Sequence, residues 1–156
     1  VGVLGKRVGC LTLESHPIGV EENFLSANIQ PKIMNYNLLE NWVNEINGGD
    51  LNRLTSLYSQ GAILFATFDE RPLDTPDLIY GYFKSFLSRE GAGVELDPST
   101  VTNSELGEKC YSSTGLYTFF FMENGHLIRQ KARFTFIFTH EKSGVILHHH
   151  SSLIPS

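Results

Sequence analysis

The sequence predicts an α+β domain in which helices come first and a bent antiparallel sheet follows. Apolar residues recur at helical spacing between residues 35 and 87, and the spacing changes to strict alternation between residues 95 and 154. With 156 residues and 41% apolar composition, the chain can bury one core, whereas two domains would each be marginal. We therefore expect a single domain over residues 31–156, preceded by an arm at residues 1–30 that lacks sustained periodicity.

Three helices are expected before the last four strands. The first lies within residues 35–46, where apolar side chains share one face and a glycine pair follows. Asp50 is placed to cap a short second helix, which runs to Tyr58 and ends at Gly61. Thr75, followed by Pro76 at the first helical position, opens the third helix, which ends at Gly91 and Gly93.

One strand is expected between the second and third helices, and four after the third. Residues 62–68 form a continuous apolar run, which predicts a strand buried on both faces. The four later strands alternate apolar and polar residues, with hairpin turns at residues 123–125 and 141–144. We place them at residues 95–106, 109–122, 127–140 and 145–154.

The sheet is expected to have two covered faces. Phe134, Phe136 and Phe138 lie on one side of their strand, and six of the 11 phenylalanines fall in this strand and the one before it, on both sides. The helices can cover one face. A second copy of the chain is expected to cover the other, because a large open apolar face is rare on a monomer. The alternative is that the arm at residues 1–30 folds over it.

Composition argues against several classes of partner. The net charge is −5 and the 12 basic residues are scattered, so we expect no nucleic-acid partner. The apolar stretch at residues 1–13 is interrupted by Lys6 and Arg7, which fits neither a signal peptide nor a membrane span. Cys10 and Cys110 are expected to be free thiols, and the expected location is the cytoplasm.

Five segments, in this order and spacing, resemble the SnoaL-like branch of the nuclear transport factor 2 superfamily. They include Ala-Arg-Phe-Thr-Phe at 132–136 and His-His-His-Ser-Ser-Leu-Ile-Pro at 148–155; the others are residues 42–58, 62–68 and 82–86. More narrowly, they are similar to bacterial relatives of the association (hub) domain of calcium/calmodulin-dependent protein kinase II. The resemblance implies a cone of curved sheet wrapped by about three helices, dimerisation through the sheet, and a pocket at the mouth of the cone. Kinase hubs assemble further into rings, but this sequence carries no kinase motif.

Four residues are candidates for the pocket. Arg133 matches an arginine of the hub pocket, and a guanidinium in a partly closed cavity binds a carboxylate through two parallel hydrogen bonds. Tyr117, on the adjacent strand, is expected to face the same space. His149 shares a strand side with Ser151 and, in the family register, looks into the pocket beside Arg133. The position of a second hub arginine is Ser151 here, and that of a pocket histidine is Ile79, so the cavity is less cationic.

Each candidate also has a structural interpretation. Arg133 would then be a surface or interface arginine, Tyr117 a core aromatic, and His149 a hydrogen-bonded structural histidine. The run of His148, His149 and His150 does not predict a metal site, because alternation sends the middle side chain to the opposite face. We expect no metal and no cofactor.

Three functions remain open. The first is an oligomeric binding domain for a small anionic or amphipathic molecule. The second is a small enzyme of the ketosteroid isomerase or polyketide cyclase class, with His149 as base and Tyr117 and Arg133 stabilising an enolate-like oxygen. The third is an oligomerisation scaffold. Fold alone does not choose among them, and the sequence shows no complete catalytic set.

Overall fold

The protein is described by a computed structural model that covers residues 36–140 and 143–155. Its helices are α1 (Leu38–Gly48), α2 (Leu51–Ser56) and α3 (Pro76–Leu87). Its strands are β1 (Tyr58–Phe65), β2 (Pro72–Leu73), β3 (Gly93–Glu105), β4 (Cys110–Glu123), β5 (His126–Thr139) and β6 (Ile146–Leu153). This α+β order confirms the predicted fold class. The predicted arm at residues 1–30, including Cys10, lies outside the described residues.

α1 buries one stripe of side chains. Leu39, Trp42 and Ile46 are spaced three and four residues apart, and all three are buried. Gly49 follows with a left-handed φ of 71°, and its N–H donates to the Ile46 carbonyl oxygen. This stop fixes the length of α1 and holds Trp42 against the sheet.

The other two helices begin at side-chain caps, as the sequence predicts. Asp50 Oδ1 accepts a hydrogen bond from the Arg53 backbone N–H at 3.0 Å. Thr75 Oγ1 accepts one from the Leu78 N–H at 3.4 Å, and Pro76 occupies the first turn. Within the described ranges, no helix combines the length and the apolar character needed to cross a bilayer.

β1 begins earlier than the sequence predicts. The Leu57 carbonyl accepts a hydrogen bond from the Ile146 N–H at 2.8 Å, so pairing with β6 starts where α2 was expected to continue. Tyr58 is therefore the first residue of a strand. Gly61 lies within β1, and its prediction as the end of α2 is wrong.

β1 is also buried on one face only. Ala62 and Leu64 are buried, whereas Ile63 and Phe65 are 39% and 43% exposed. The expectation that this strand is buried on both faces is wrong for a single copy of the chain, because the helices of the described part pack against one side of the sheet.

The strands form an open, curved sheet in the order β2-β1-β6-β5-β4-β3. The last four strands make the predicted antiparallel meander. β1 pairs parallel to β6, so the sheet is mixed and not wholly antiparallel as predicted. Parallel pairing needs a long connection, and here α3 and the four strands β2 to β5 provide it.

The two faces of the sheet differ in burial. The inner face, which carries Phe136, holds a set of buried aromatic side chains: Tyr111, Tyr117, Phe119, Phe121, Phe134, Phe136 and Phe138. On the outer face, which carries Arg133, Leu116 and Phe120 of β4 and Ile137 of β5 are half-buried. Alternation along both strands explains this division.

The hairpin between β4 and β5 sets which residues share a face. Asn124 and Gly125 have φ values of 51° and 76°, as a two-residue type I′ turn requires. Glu123 consequently pairs with His126, and the register continues without a shift to Cys110 and Thr139. The predicted turn is confirmed, and it fixes every cross-strand neighbour in the centre of the sheet.

We predict that Gly115→Ala lowers the free energy of unfolding by about 1–3 kcal/mol, because overpacking a full core strains it. An added Cβ would lie 2.9 Å from Phe134 Cζ and 3.2 Å from Thr100 Oγ1. The Phe134 ring has little room to move, since Tyr117 lies 4.8 Å from it, centroid to centroid. Urea unfolding measures the effect.

Gly61→Ala is the matched control, because its added Cβ would meet nothing within 4 Å and the position is exposed. We expect this change to stay within about 0.5 kcal/mol of the wild type. Equal effects of the two substitutions would contradict the packing at Gly115.

Candidate functional site

A chain of polar side chains runs through the aromatic core on the inner face. Its centre is His149 of β6, which lies opposite Phe136 of β5 and is 2% exposed. The imidazole stacks on the Phe136 ring, with 3.8 Å between centroids and 17° between planes. The Trp42 indole contacts it edge-on at 5.2 Å. His149 is therefore enclosed by aromatic rings from α1 and β5.

Both ring nitrogens of His149 have hydroxyl partners. Tyr58 Oη lies 2.9 Å from Nδ1, and Tyr117 Oη lies 3.1 Å from Nε2. Trp42 Nε1–H donates to Tyr58 Oη at 3.0 Å. Four elements, α1, β1, β4 and β6, thus contribute to one buried hydrogen-bonded group.

The direction of these hydrogen bonds follows from Trp42. An indole N–H can only donate, so Tyr58 Oη accepts from it and its own hydrogen is free to donate to Nδ1. A neutral imidazole with an acceptor at Nδ1 carries its proton on Nε2. Nε2–H then donates to Tyr117 Oη. This arrangement favours the Nε2–H tautomer of His149, because the other tautomer would leave the buried Tyr58 hydroxyl hydrogen without that acceptor.

The chain continues from Tyr117 toward the end of β1. The Tyr117 hydroxyl is hydrogen-bonded to Ser151, and Ser151 Oγ is in close contact with Thr67 Oγ1. Ser151 is buried and Thr67 is partly buried, so this end of the chain approaches the surface. Hydroxyls can both donate and accept, so each of these oxygens can satisfy a neighbour.

Burial keeps every member of this chain uncharged near neutral pH. Desolvation lowers the pKa of His149 well below 6.5, and neighbouring His148 and His150 lower it further. Desolvation also raises the pKa of Tyr58 and of Tyr117 above the ordinary tyrosine value. The group is therefore neutral, and its hydrogen bonds satisfy polar atoms that would otherwise be costly to bury.

This arrangement suits a structural histidine better than a general base. A base needs a free lone pair facing the substrate, but the Nδ1 lone pair of His149 already accepts from Tyr58. The other nitrogen carries a proton bonded to Tyr117. Proton abstraction by His149 would first require the Tyr58 O–H to rotate away from Nδ1, leaving that buried hydroxyl hydrogen without its acceptor.

Arg133 lies on the opposite face of the sheet from the rest of the predicted pocket. Tyr117 pairs with Ala132, which places Arg133 opposite Leu116 and Ser152. The guanidinium is exposed, and its Nε–H donates to Ser152 Oγ at 2.9 Å. The expectation that Tyr117 and His149 face the same space as Arg133 is wrong, because Tyr117 lies opposite Ala132 and His149 opposite Phe136, both on the other face of β5 from Arg133.

The structure thus brings together three of the four predicted site residues, Tyr117, His149 and Ser151. It adds Tyr58 and Trp42, which sequence reasoning assigned to helices only. One signal pointed to them: a buried tryptophan normally finds a partner for its N–H, and a tyrosine hydroxyl is a suitable one. Ile79, at the position of a hub histidine, is buried and apolar.

The three consecutive histidines divide between the faces. His148 and His150 pair with Ile137 and Thr135 on the outer face, whereas His149 points inward. Phe65 lies beside both outer rings, with centroids at 6.1 and 5.8 Å. Within residues 36–140 and 143–155, no group of three His, Cys, Asp or Glu side chains could hold a metal ion.

Comparison with known proteins identifies the kind of domain. A family model for the SnoaL-like domain matches residues 36–156. No curated protein matches the chain significantly.

Solved structures give a consistent result. A candidate calcium/calmodulin dependent protein kinase II association domain from Xanthomonas campestris is 25% identical, covers 77% of this chain and 85% of its own, and has a TM-score of 0.69. A candidate dehydratase of the nuclear transport factor 2-like family from Streptomyces avermitilis is 15% identical over 76% of this chain and 93% of its own, with a TM-score of 0.65. A nuclear transport factor 2-like protein with a cystatin-like fold from Novosphingobium aromaticivorans is 12% identical. The match covers 76% of this chain and 79% of that protein, with a TM-score of 0.61. The last two comparisons show the fold alone.

We predict that acid destabilises the protein through His149. Its folded-state pKa is lowered, so below about pH 6.5 the unfolded chain binds a proton that the folded chain does not. The stabilisation is therefore complete above about pH 6.5 and is lost as the pH falls. From pH 7 to pH 5 we expect the free energy of unfolding to drop by up to about 2 kcal/mol from this group. Urea unfolding at several pH values measures the slope.

His149→Gln should remove most of this slope. His148→Gln is the comparison, because burial also lowers the pKa of His148, though that residue is much less buried. The 15N resonances of the His149 ring supply a second readout. A ring that is protonated on both nitrogens at pH 6, or that carries its proton on Nδ1, would contradict the assigned hydrogen bonds.

Proposed function

The chain belongs to the SnoaL-like domain family, and on that premise we propose that it is a self-associating, noncatalytic binding domain, a homodimer or larger ring. The supporting observation is the contrast between the two sheet faces. The inner face is filled by aromatic rings and closed by helices, whereas the outer face leaves apolar side chains accessible in a single copy. Association through the outer face would bury them.

The outer face has the composition of an interface. Ile63 and Phe65 are exposed on β1, and Leu116 and Phe120 of β4 and Ile137 of β5 are half-buried on the same face. Accessible apolar side chains gathered on one face of a sheet mark a contact surface.

A second copy is the occupant we propose for this face. A two-fold arrangement brings the same patch of each copy together, so apolar residues meet apolar residues. Lys131 lies on this face along β5, while Asp97 lies on it along β3. Opposite charges at separate places on one face can pair between two copies. The 25% identical structure from Xanthomonas campestris, named as a candidate association domain, supports the same proposal.

A second proposed activity is the binding of a small anion at Arg133. The guanidinium is exposed and bonds Ser152, and no carboxylate of the described residues lies within ion-pair distance of it. It can therefore still take a carboxylate through two parallel hydrogen bonds. Tyr117, His149 and Ser151 lie on the other face, so this proposal rests on Arg133 alone.

The enzymatic alternative receives less support from the geometry. One structural neighbour is named as a candidate dehydratase, but its 15% identity shows the fold alone. His149 is the base that an isomerase or cyclase interpretation requires, and both of its ring nitrogens are engaged. We therefore favour binding and assembly over catalysis.

We predict that the full chain sediments with at least twice its monomer mass of 17.5 kDa at micromolar concentration. Phe65→Glu places a charge on the outer face, and in a two-fold dimer the substitution occurs twice. We expect the dissociation constant to rise by at least about tenfold, which corresponds to about 1.4 kcal/mol. Analytical ultracentrifugation over a concentration series measures both quantities.

Tyr80→Glu is the matched control, since this aromatic residue of α3 is 39% exposed, close to the 43% of Phe65, but does not lie on the sheet. It should leave the dissociation constant unchanged. A wild-type chain that stays monomeric over the whole series would refute self-association. An equal effect of the two substitutions would refute the outer face as the interface.

For the second activity, we predict that small dicarboxylates raise the melting temperature of the wild type in proportion to the logarithm of their concentration, because they bind the folded state only. Arg133→Gln should abolish the shift. Arg53→Gln serves as the control, since that exposed guanidinium is already paired with Glu45 at 2.7 Å. A shift that survives in Arg133→Gln would place anion binding elsewhere.

A further inference from the structure

A second arginine, Arg89, lies just after the C-terminal end of α3 and packs on aromatic rings. Phe68, Phe86, Phe119 and Phe121 form what we term the four-ring cluster, with neighbouring centroids 5.4–6.4 Å apart. The Cζ atom of Arg89 lies over this cluster, 4.3 Å from the Phe121 centroid and 5.3 Å from that of Phe68. Arg89 follows the last turn of α3 and is partly buried.

The backbone holds Arg89 firmly in this position. The Arg89 N–H donates to the Phe86 carbonyl at 3.1 Å, and the next residue, Glu90, accepts from the Met122 N–H at 2.8 Å. The segment is thus tied to α3 on one side and to β4 on the other. The guanidinium does not depend on a flexible loop for its placement.

Contact with ring faces leaves the donors of the guanidinium available. A cation–π contact is an attraction to the face of a ring, whereas the five N–H groups of an arginine need acceptors in its own plane. Within the described ranges, the ion pairs involve Arg53, Arg71 and Arg129 and not Arg89. A partly desolvated guanidinium without a carboxylate partner is a strong site for one.

A groove of about 320 Å³ leads along α3 to this guanidinium. Phe68 supplies partly accessible apolar surface to it, the buried Phe86 and Leu73 lie beneath, and Tyr82 lies in its wall with a hydroxyl hydrogen-bonded to the Phe68 backbone. A ligand lying in the groove would place its apolar body on these side chains and its end at Arg89.

The acidic residues of the groove do not cancel the charge of Arg89. Asp69 Oδ1 is engaged by Arg71, accepting from its backbone N–H at 3.0 Å and lying 3.6 Å from its Nε. Asp77 is in the first turn of α3, 12 residues before Arg89, which is about 18 Å along a helix. Salt screens exposed charges beyond about 10 Å.

We propose that Arg89, the four-ring cluster and this groove form a binding site for a carboxylate carried on an apolar or aromatic body. The proposal does not depend on self-association or on Arg133, because these residues belong to the inner side of the sheet and the end of α3. Arginine is suited to the role because its planar fork binds a carboxylate while its face rests on a ring.

The test is a titration of the full chain with phenylacetate and with phenylacetamide, followed by NMR. We expect phenylacetate to shift the ring resonances of Phe68 and Phe121 and to bind with a dissociation constant on the order of 1 mM, as suits a ligand of this size. The amide has the same shape without the charge, and it should bind at least about tenfold more weakly. This comparison needs no variant, so a folding defect cannot obscure it.

Arg89→Met keeps an apolar stem over Phe121 and removes the charge. It should weaken phenylacetate binding at least about tenfold, while Arg53→Gln leaves binding unchanged. Equal binding of acid and amide, no shift at Phe68 and Phe121 at 20 mM phenylacetate, or undiminished binding by Arg89→Met would each overturn the proposal. Because the readout is specific to these rings, anion binding at Arg133 cannot mimic it.

Discussion

The fold depends on giving the indole N–H of Trp42 an acceptor inside an aromatic core. Trp42 is fully buried, and an indole N–H buried without a partner would cost about 1–3 kcal/mol. Tyr58 supplies the acceptor, which requires β1 to begin at Tyr58 and to lie beside β6. Tyr58 must then donate, and His149 accepts. One donor in α1 thereby constrains the placement of β1, the orientation of the His149 ring and the position of Tyr117.

Much of this architecture can be predicted from sequence because its signals are local. The caps at Asp50 and Thr75 and the turn at Asn124-Gly125 each depend on neighbouring residues, and the structure shows all three. The parallel pairing of β1 with β6 joins residues about 90 positions apart. No local sequence pattern encodes this parallel pairing, which depends on how all the strands pack their inner-face side chains together.

Which residues share a face with Arg133 depends on a single residue of strand register. Alternation within β5 correctly separates Arg133 from Phe134, but its relation to Tyr117 on β4 depends on the length of the turn between the strands. A turn one residue longer, including Glu123, would place Tyr117 opposite Lys131 and on the side of Arg133. A one-residue change of register moves every side chain of a strand to the other face. The candidate residues were identifiable from sequence, but their grouping required the register.

The two arginines proposed to bind anions differ in what surrounds them, and this difference links one of them to assembly. In a single copy Arg133 lies in water, where attraction between a cation and an anion is weak. A second copy on the outer face would change the solvation of Arg133, so anion binding there and association would be coupled. Arg89 already lies on aromatic rings that exclude water from one side, so its affinity for a carboxylate needs no partner. A cation's position relative to the core therefore decides whether ligand binding in this domain responds to assembly.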